Sequence, residues 1–240
     1  TVVFTHSGGT STGTIGAASD LTNGSYTATF TGVVAGSATT IRATINGTSV
    51  TTTLPTIAVA PGAISAAQSL ITVGSASIAS GTTTTVRLSA KDAAGNALTG
   101  GSSTVVFSRS GGSSTGTFGS TTNNNDGTYD AVLTGVLVGS ATNITATIDG
   151  TPVTTILPSV TVTPGAISAS RSTVEVASSS VQSGSSVLVR LRAKDAAGNA
   201  LTSGGATIIF NQTGGTSAGS FGSVTYDNDG TYSAQFTGST

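Results

Sequence analysis

The sequence predicts an all-β protein made of tandem two-layer Greek-key β-sandwich domains, each about 103 residues long. Three observations lead to this prediction. The chain repeats itself at a constant spacing, each repeat alternates apolar and polar residues, and glycine-containing turn motifs separate the alternating runs. Short strands at regular spacing in a unit near 100 residues are typical of a sandwich.

The repeat has a constant period. Residues 1–4 return as residues 104–107 and again as residues 207–210, which is 103 residues further on each time. The decapeptide Ala-Lys-Asp-Ala-Ala-Gly-Asn-Ala-Leu-Thr is identical at residues 90–99 and 193–202. A unit of this length suits an independent domain with its own core. The sequence therefore predicts a tandem array.

Two Pro-Gly pairs, Pro61-Gly62 and Pro164-Gly165, mark the expected junctions between repeats. Boundaries placed there make residues 1–62 the C-terminal part of one repeat and residues 63–165 a complete repeat. Residues 166–240 are then the N-terminal part of the next repeat. We expect the chain to be a window from a longer array with short linkers.

Each repeat has the pattern of antiparallel strands joined by tight turns. In residues 86–91, Val-Arg-Leu-Ser-Ala-Lys, apolar and polar side chains alternate as they do in a half-buried strand. Asn46-Gly47 and Asp149-Gly150 stand between alternating runs, and both positions of such a pair tolerate positive φ. Counting the runs predicts about seven or eight strands per repeat and no amphipathic helix.

The composition excludes several classes of protein. Cys is absent, His occurs once, and only 7% of the 240 residues are charged, with a formal net charge of −1. Thiolate metal sites and Cys nucleophiles are thereby excluded, and a nucleic-acid surface is disfavoured because it needs clustered cations. No apolar run approaches the roughly 18–20 residues that span a bilayer. No Ser/His/Asp set or paired carboxylates recur, so we predict no enzymatic activity and no cofactor.

Several segments resemble a known family. Residues 164–174, 181–184 and 191–199 resemble bacterial Ig-like domains of the invasin/intimin type, which carry a similar Asp-x-x-Gly-Asn turn. The Asp-Gly-Thr-Tyr segments at residues 126–129 and 229–232 also resemble filamin-type Ig repeats. The resemblance implies tandem Ig-like domains in a large extracellular protein on the bacterial cell surface, often an adhesin.

Three kinds of candidate site residue stand out. A tyrosine recurs on the core-facing register of all three copies (Tyr26, Tyr129 and Tyr232), which suggests a tyrosine corner that locks the Greek key. Asp92 and Asp195 occupy matching turns, where we expect them to accept hydrogen bonds from nearby backbone amides. Asp227 and Asp229 resemble the start of a calcium loop, but carboxylates do not recur at the matching positions, so a plain polar turn is the alternative.

Two functions remain open. In the first, the array is a structural stalk whose partners are its own neighbouring repeats, and it projects a distal element that binds a host protein or glycan. In the second, the array itself binds glycan or self-associates laterally with other copies into a filament or sheath. The Thr-rich residues 151–157 are the expected contact in that case.

Overall fold

The computed structural model describes residues 1–239, and every regular element in that range is a β-strand. We number the strands in chain order. The first unit contains β1 (Val2–Ser7), β2 (Thr12–Ile15), β3 (Ser19–Asp20), β4 (Tyr26–Thr27), β5 (Phe30–Val34), β6 (Thr39–Ile45), β7 (Thr48–Ser49) and β8 (Thr56–Ile57).

The middle unit contains β9 (Leu70–Val73), β10 (Ser77–Ala79), β11 (Thr83–Ser89), β12 (Val105–Ser110), β13 (Gly116–Phe118), β14 (Thr122–Asn123), β15 (Thr128–Gly135), β16 (Thr142–Ile148), β17 (Thr151–Pro152) and β18 (Ser159–Thr163). The last unit contains β19 (Thr173–Val176), β20 (Ser186–Arg192), β21 (Ala218–Phe221), β22 (Thr225–Tyr226) and β23 (Thr231–Ser239).

The middle unit is a two-layer sandwich. One sheet has the order β13-β15-β11-β9 with β14 beside β15, and the other has the order β10-β18-β16-β12 with β17 beside β16. Only β10 and β18 pair in parallel within this unit. Sequence neighbours such as β11 and β12 lie in opposite sheets, which is the Greek-key arrangement. The predicted all-β sandwich is therefore confirmed.

The core lies between the two sheets of the middle unit. Alternate residues of each strand point inward, so the period of two in the sequence becomes a continuous buried layer. Its buried members include Ile71, Val86, Leu88, Tyr129, Leu133, Ile144, Ile148, Val160 and Val162. At the edge, Asp149 and Gly150 have φ values of 47° and 83°, and they form the tight turn between β16 and β17 that the sequence predicts.

The last unit keeps one of the two sheets, with the order β19-β20-β23-β21 and β22 beside β23. Residues 208–213, which match β12, form no strand because the described part of this unit has no counterpart of β16 to pair with them. A cleft of about 500 Å³ opens there, lined by Val189, Leu191 and Phe210 among others. These residues match Val86, Leu88 and Phe107 of the middle core, so the cleft is the uncovered inner face of a sheet.

Candidate functional site at the joints between units

The Asp-Ala-Ala-Gly-Asn turn follows β11 in the middle unit and β20 in the last. Asp92 Oδ1 accepts hydrogen bonds from the backbone N–H groups of Ala94 (3.0 Å) and Asn96 (2.8 Å). Asp92 N also donates to Asn96 O at 2.9 Å, which closes the turn, and Gly95 takes a φ of 85° that favours glycine. The short aspartate side chain thus fixes the backbone of its own turn.

The last unit repeats this geometry closely. Asp195 Oδ1 accepts hydrogen bonds from the backbone N–H groups of Ala197 and Asn199, both at 2.9 Å. Gly198 has a φ of 89°. Because the decapeptide is identical in the two units, the same local sequence builds the same turn twice.

The second carboxylate oxygen of each aspartate holds the linker between units. Gly62 N donates to Asp92 Oδ2 at 2.8 Å, and Gly165 N donates to Asp195 Oδ2 at 3.0 Å. The same oxygen accepts a bond from the side-chain amide of the turn asparagine, at 2.9 Å from Asn96 and 2.8 Å from Asn199. Each aspartate therefore ties together its turn, the linker and the asparagine.

The hydrogen bonds favour the charged form of both carboxylates. The N–H of Gly62, then the side-chain amide of Asn96, lowers the pKa of Asp92 from its usual 3.8 to about 2. Burial of the Asp195 carboxylate works to raise its pKa, but the donors on Asn199, Gly165 and Ala197 together outweigh burial and the pKa is lowered. Both aspartates are buried, with 5% and 1% of their surface exposed. A buried carboxylate with this many donors stays ionised at neutral pH.

The asparagine at the end of each turn reaches the preceding unit. Asn96 Nδ2 donates to Val33 O at 2.9 Å, and Asn96 Oδ1 accepts from Ala35 N at 3.0 Å. At the next joint, Asn199 makes the equivalent bonds to Val136 O at 2.8 Å and Val138 N at 3.1 Å. We call each set of aspartate, asparagine and linker glycine (Asp92, Asn96 and Gly62, or Asp195, Asn199 and Gly165) a clasp.

The second joint contains one more polar contact. Ser80 Oγ of the middle unit donates to Val136 O at 2.7 Å and lies 3.1 Å from Asn199 Nδ2. The backbone also approaches closely here, since a Cβ added to Gly165 would lie 2.5 Å from Ser80 O. A Cβ on Gly62 at the first joint would meet nothing nearer than Asp92 Oδ2, at 3.6 Å.

The sequence pattern indicates Asp92, Asp195 and the Pro-Gly pairs as candidates, and each aspartate accepts a hydrogen bond from the glycine of the pair before it. Pro61 and Pro164 precede those glycines in the linker. The sequence pattern does not indicate Asn96, Asn199 or Ser80 as contacts between units. The decapeptide is identical in two repeats whose surrounding sequences differ. This identity is the signal that could have indicated a role for the two asparagines.

The three candidate tyrosines have different surroundings. Tyr129 and Tyr232 are buried, and Tyr232 Oη accepts a hydrogen bond from Ala206 N at 3.1 Å. Tyr26 is 42% exposed in this chain, and its role in a tyrosine corner stays a prediction. Tyr129 pairs with Leu88 of β11, whereas the first unit has no counterpart of β11 within the described residues to cover Tyr26. A tyrosine corner in the other two units stays a prediction.

The calcium candidates lie in a hydroxyl-rich turn. Thr231 Oγ1 bonds to both Asp227 Oδ2 (3.1 Å) and Asp229 Oδ1 (2.5 Å), and Ser233 Oγ donates to Asp227 Oδ1 at 3.0 Å. Within residues 1–239, no three His, Asp or Glu side chains lie close enough to hold a metal ion together. Calcium binding by Asp227 and Asp229 stays a prediction, which a melting temperature sensitive to chelation would support.

No helix long and apolar enough to cross a bilayer occurs in the described range. Comparison with known protein families gives direct information on the family of the chain. The family model for invasin, domain 3, matches residues 65–165 and again residues 168–240. A comparison with curated protein sequences found no match.

Solved structures of bacterial adhesins are similar to this chain. The Escherichia coli adhesin FdeC is 26% identical with a TM-score of 0.55, and the alignment covers 98% of this chain and 76% of that one. InvD of Yersinia pseudotuberculosis is 27% identical with a TM-score of 0.51, covering 84% and 61%. Invasin, an integrin-binding protein, is 22% identical with a TM-score of 0.48, covering 100% and 47%.

The family model thus matches most of the chain, in two successive copies that follow the repeat seen in the sequence. The resemblance inferred from the sequence is confirmed. The chain belongs to the invasin domain 3 family of Ig-like domains found in bacterial adhesins.

Proposed function

We propose that the chain is a non-catalytic stalk segment of an extracellular adhesin on the bacterial cell surface. Its tandem Ig-like units project a distal element, and that element, outside this chain, contacts a host protein or glycan. The observation that carries the proposal is the clasp, which occurs twice with the same hydrogen bonds. The immediate partners of each unit are then its neighbours in the array.

A stalk needs joints that resist bending. Domains joined by a linker move relative to each other unless the interface between them is extensive or specific. In each clasp, a buried carboxylate accepts a hydrogen bond from the linker, and the asparagine amide forms hydrogen bonds with the neighbouring unit. The bond from the linker glycine to the charged aspartate contributes about 1.5–3 kcal/mol and each bond of the neutral asparagine amide about 0.5–1.5 kcal/mol, which together favour one orientation of the units over many.

The test compares the 240-residue chain with the double variant Asn96→Ala, Asn199→Ala. Small-angle X-ray scattering should give a narrow distribution of long dimensions for the unaltered chain and a broader, shorter one for the variant. Asn143→Ala is the matched control because Asn143 is an exposed asparagine on β16 whose side chain takes no part in either clasp. A broad distribution for the unaltered chain would contradict the proposal.

Lateral self-association is the second candidate function, and one observation favours it. Ile156 lies in the predicted contact segment between β17 and β18 and is 91% exposed. The matching residue of the first unit is Thr53. If this surface joins copies, sedimentation should show assemblies that grow with concentration and that Ile156→Thr abolishes. A single monomeric species at all concentrations would exclude it.

A further inference from the structure

The asparagine of each clasp recognises its neighbour through main-chain atoms. The side-chain amide of Asn96 presents one donor and one acceptor, which match a carbonyl and an N–H two residues apart, on Val33 and Ala35. Asn199 makes the same pair of bonds with Val136 and Val138. Every non-proline residue carries these backbone groups, so such contacts do not depend on side-chain identity.

The docked segments differ in sequence while the bonds do not. The first is Val33-Val34-Ala35, and the second is Val136-Leu137-Val138. Corresponding hydrogen-bond lengths nevertheless differ by only 0.1 Å, at 2.9 and 2.8 Å to the carbonyl and 3.0 and 3.1 Å from the N–H. The central side chains are also similarly exposed, Val34 at 44% and Leu137 at 46%. Changes of side chain in the docked segment are therefore accommodated without a change in the clasp.

The aspartate sets which way the asparagine amide faces. Asp92 Oδ2 can accept only from the Nδ2 end of Asn96, and Asp195 Oδ2 does the same for Asn199. The Oδ1 end is then left to accept from the neighbouring backbone N–H. Asp92 and Asp195 are thus positioning residues, which prepare the amide before the neighbouring unit docks.

From this geometry we infer that the Asp-Ala-Ala-Gly-Asn turn is a general docking element for the preceding unit. Its partner is the end of any unit of this repeat type that presents a carbonyl and an N–H two residues apart at the matching place. Units can then be exchanged or reordered along the array while the joint is kept. This inference rests on the proposed stalk function, and it adds that the side chains of the docked segment do not specify which unit may precede another.

The experiment exchanges the two docked segments within the full chain. One variant carries Val34→Leu and Ala35→Val with Leu137→Val and Val138→Ala, so that each joint receives the other's segment. A second carries Asn96→Asp and Asn199→Asp, which keep the side-chain shape but replace the Nδ2 donor with an acceptor. Residual dipolar couplings measured by NMR give the alignment of each unit, and chemical shifts within the units show that both variants are folded.

We expect the exchanged chain to keep one alignment shared by all units and the Asn→Asp chain to lose it. If the exchange alone abolishes the shared alignment, side chains specify the joint and this inference is overturned while the stalk proposal stands. If the units of the unaltered chain align independently of one another, both this inference and the stalk proposal are overturned.

Discussion

The two joints share the clasp but differ in what surrounds it. Both have an aspartate that holds the linker glycine, at 2.8 Å in the first joint and 3.0 Å in the second. In the second joint, Ser80 adds its hydroxyl to the carbonyl that Asn199 contacts, and its backbone oxygen lies against Gly165. The first unit has no counterpart of Ser80 within this chain.

This difference separates two contributions to a joint. The clasp comes from a local sequence, because one decapeptide builds it in both places. The close packing around the linker of the second joint comes from Ser80, which follows β10. A substitution in the clasp should therefore act on both joints alike, whereas a substitution at the linker should act on the second joint alone.

Removal of the clasp carboxylate should have the largest effect. Asp195→Ala leaves the N–H groups of Gly165, Ala197 and Asn199 without their acceptor at a nearly fully buried position. We expect the free energy of unfolding of the last unit to fall by about 3 kcal/mol in urea denaturation. Asp92→Ala should cause a similar loss in the middle unit.

The matched control for this prediction is Glu175→Ala in the same unit. Glu175 forms an exposed ion pair with Arg192 at 3.0 Å. Exposed pairs contribute less than about 1 kcal/mol, so this variant should unfold nearly as the unaltered chain does. Equal losses for Asp195→Ala and Glu175→Ala would show that the clasp carboxylate has no special role.

The linker glycines should distinguish the two joints. In Gly165→Ala the new Cβ would lie 2.5 Å from the backbone oxygen of Ser80, so the linker or β10 must move. Overpacking of this kind costs about 1–3 kcal/mol, and scattering should also show a changed angle at the second joint. Gly62→Ala, with its nearest contact at 3.6 Å, should change stability by less than about 0.5 kcal/mol. If the two variants behave alike, the packing around Gly165 does not shape the joint.

Much of the fold could be predicted from the sequence because it depends on local patterns. The period of two along residues 86–91 and the Asp149-Gly150 turn each report the conformation of a few adjacent residues. Tyr26 shows the limit of this reasoning. The pattern gives the face on which a side chain lies, but not whether another strand covers that face.

The contacts of Asn96 and Asn199 could not be predicted for a related reason. Asn96 lies 61 residues from Ala35 in sequence, and its partners are backbone atoms, which leave no pattern of side chains. The aspartates were easier to assign, since they also bond to amides two and four residues ahead. Sequence reasoning therefore indicated the hydrogen bonds within each turn and missed the hydrogen bonds that join two units.

Acid should weaken the clasps over a defined range of pH. The pKa of Asp92 is about 2 in the folded chain and near 3.8 when the chain is unfolded. The stabilising effect of its charge is therefore complete above about pH 4 and is lost as the pH falls towards 2. We expect the melting temperature of the middle unit to drop across this range. Asp92→Asn cannot titrate, so its profile should lack the part of the drop that comes from this carboxylate.

A small effect should come from Ser80→Ala, which acts on the second joint alone. It removes the hydroxyl that donates to Val136 O, but Asn199 Nδ2 still donates to that oxygen at 2.8 Å, so no buried acceptor is left unpaired. We expect a loss of about 0.5–1 kcal/mol, with the alignment of the units in NMR unchanged. A loss as large as that of Asp195→Ala would mean that Ser80, rather than the clasp, holds the second joint.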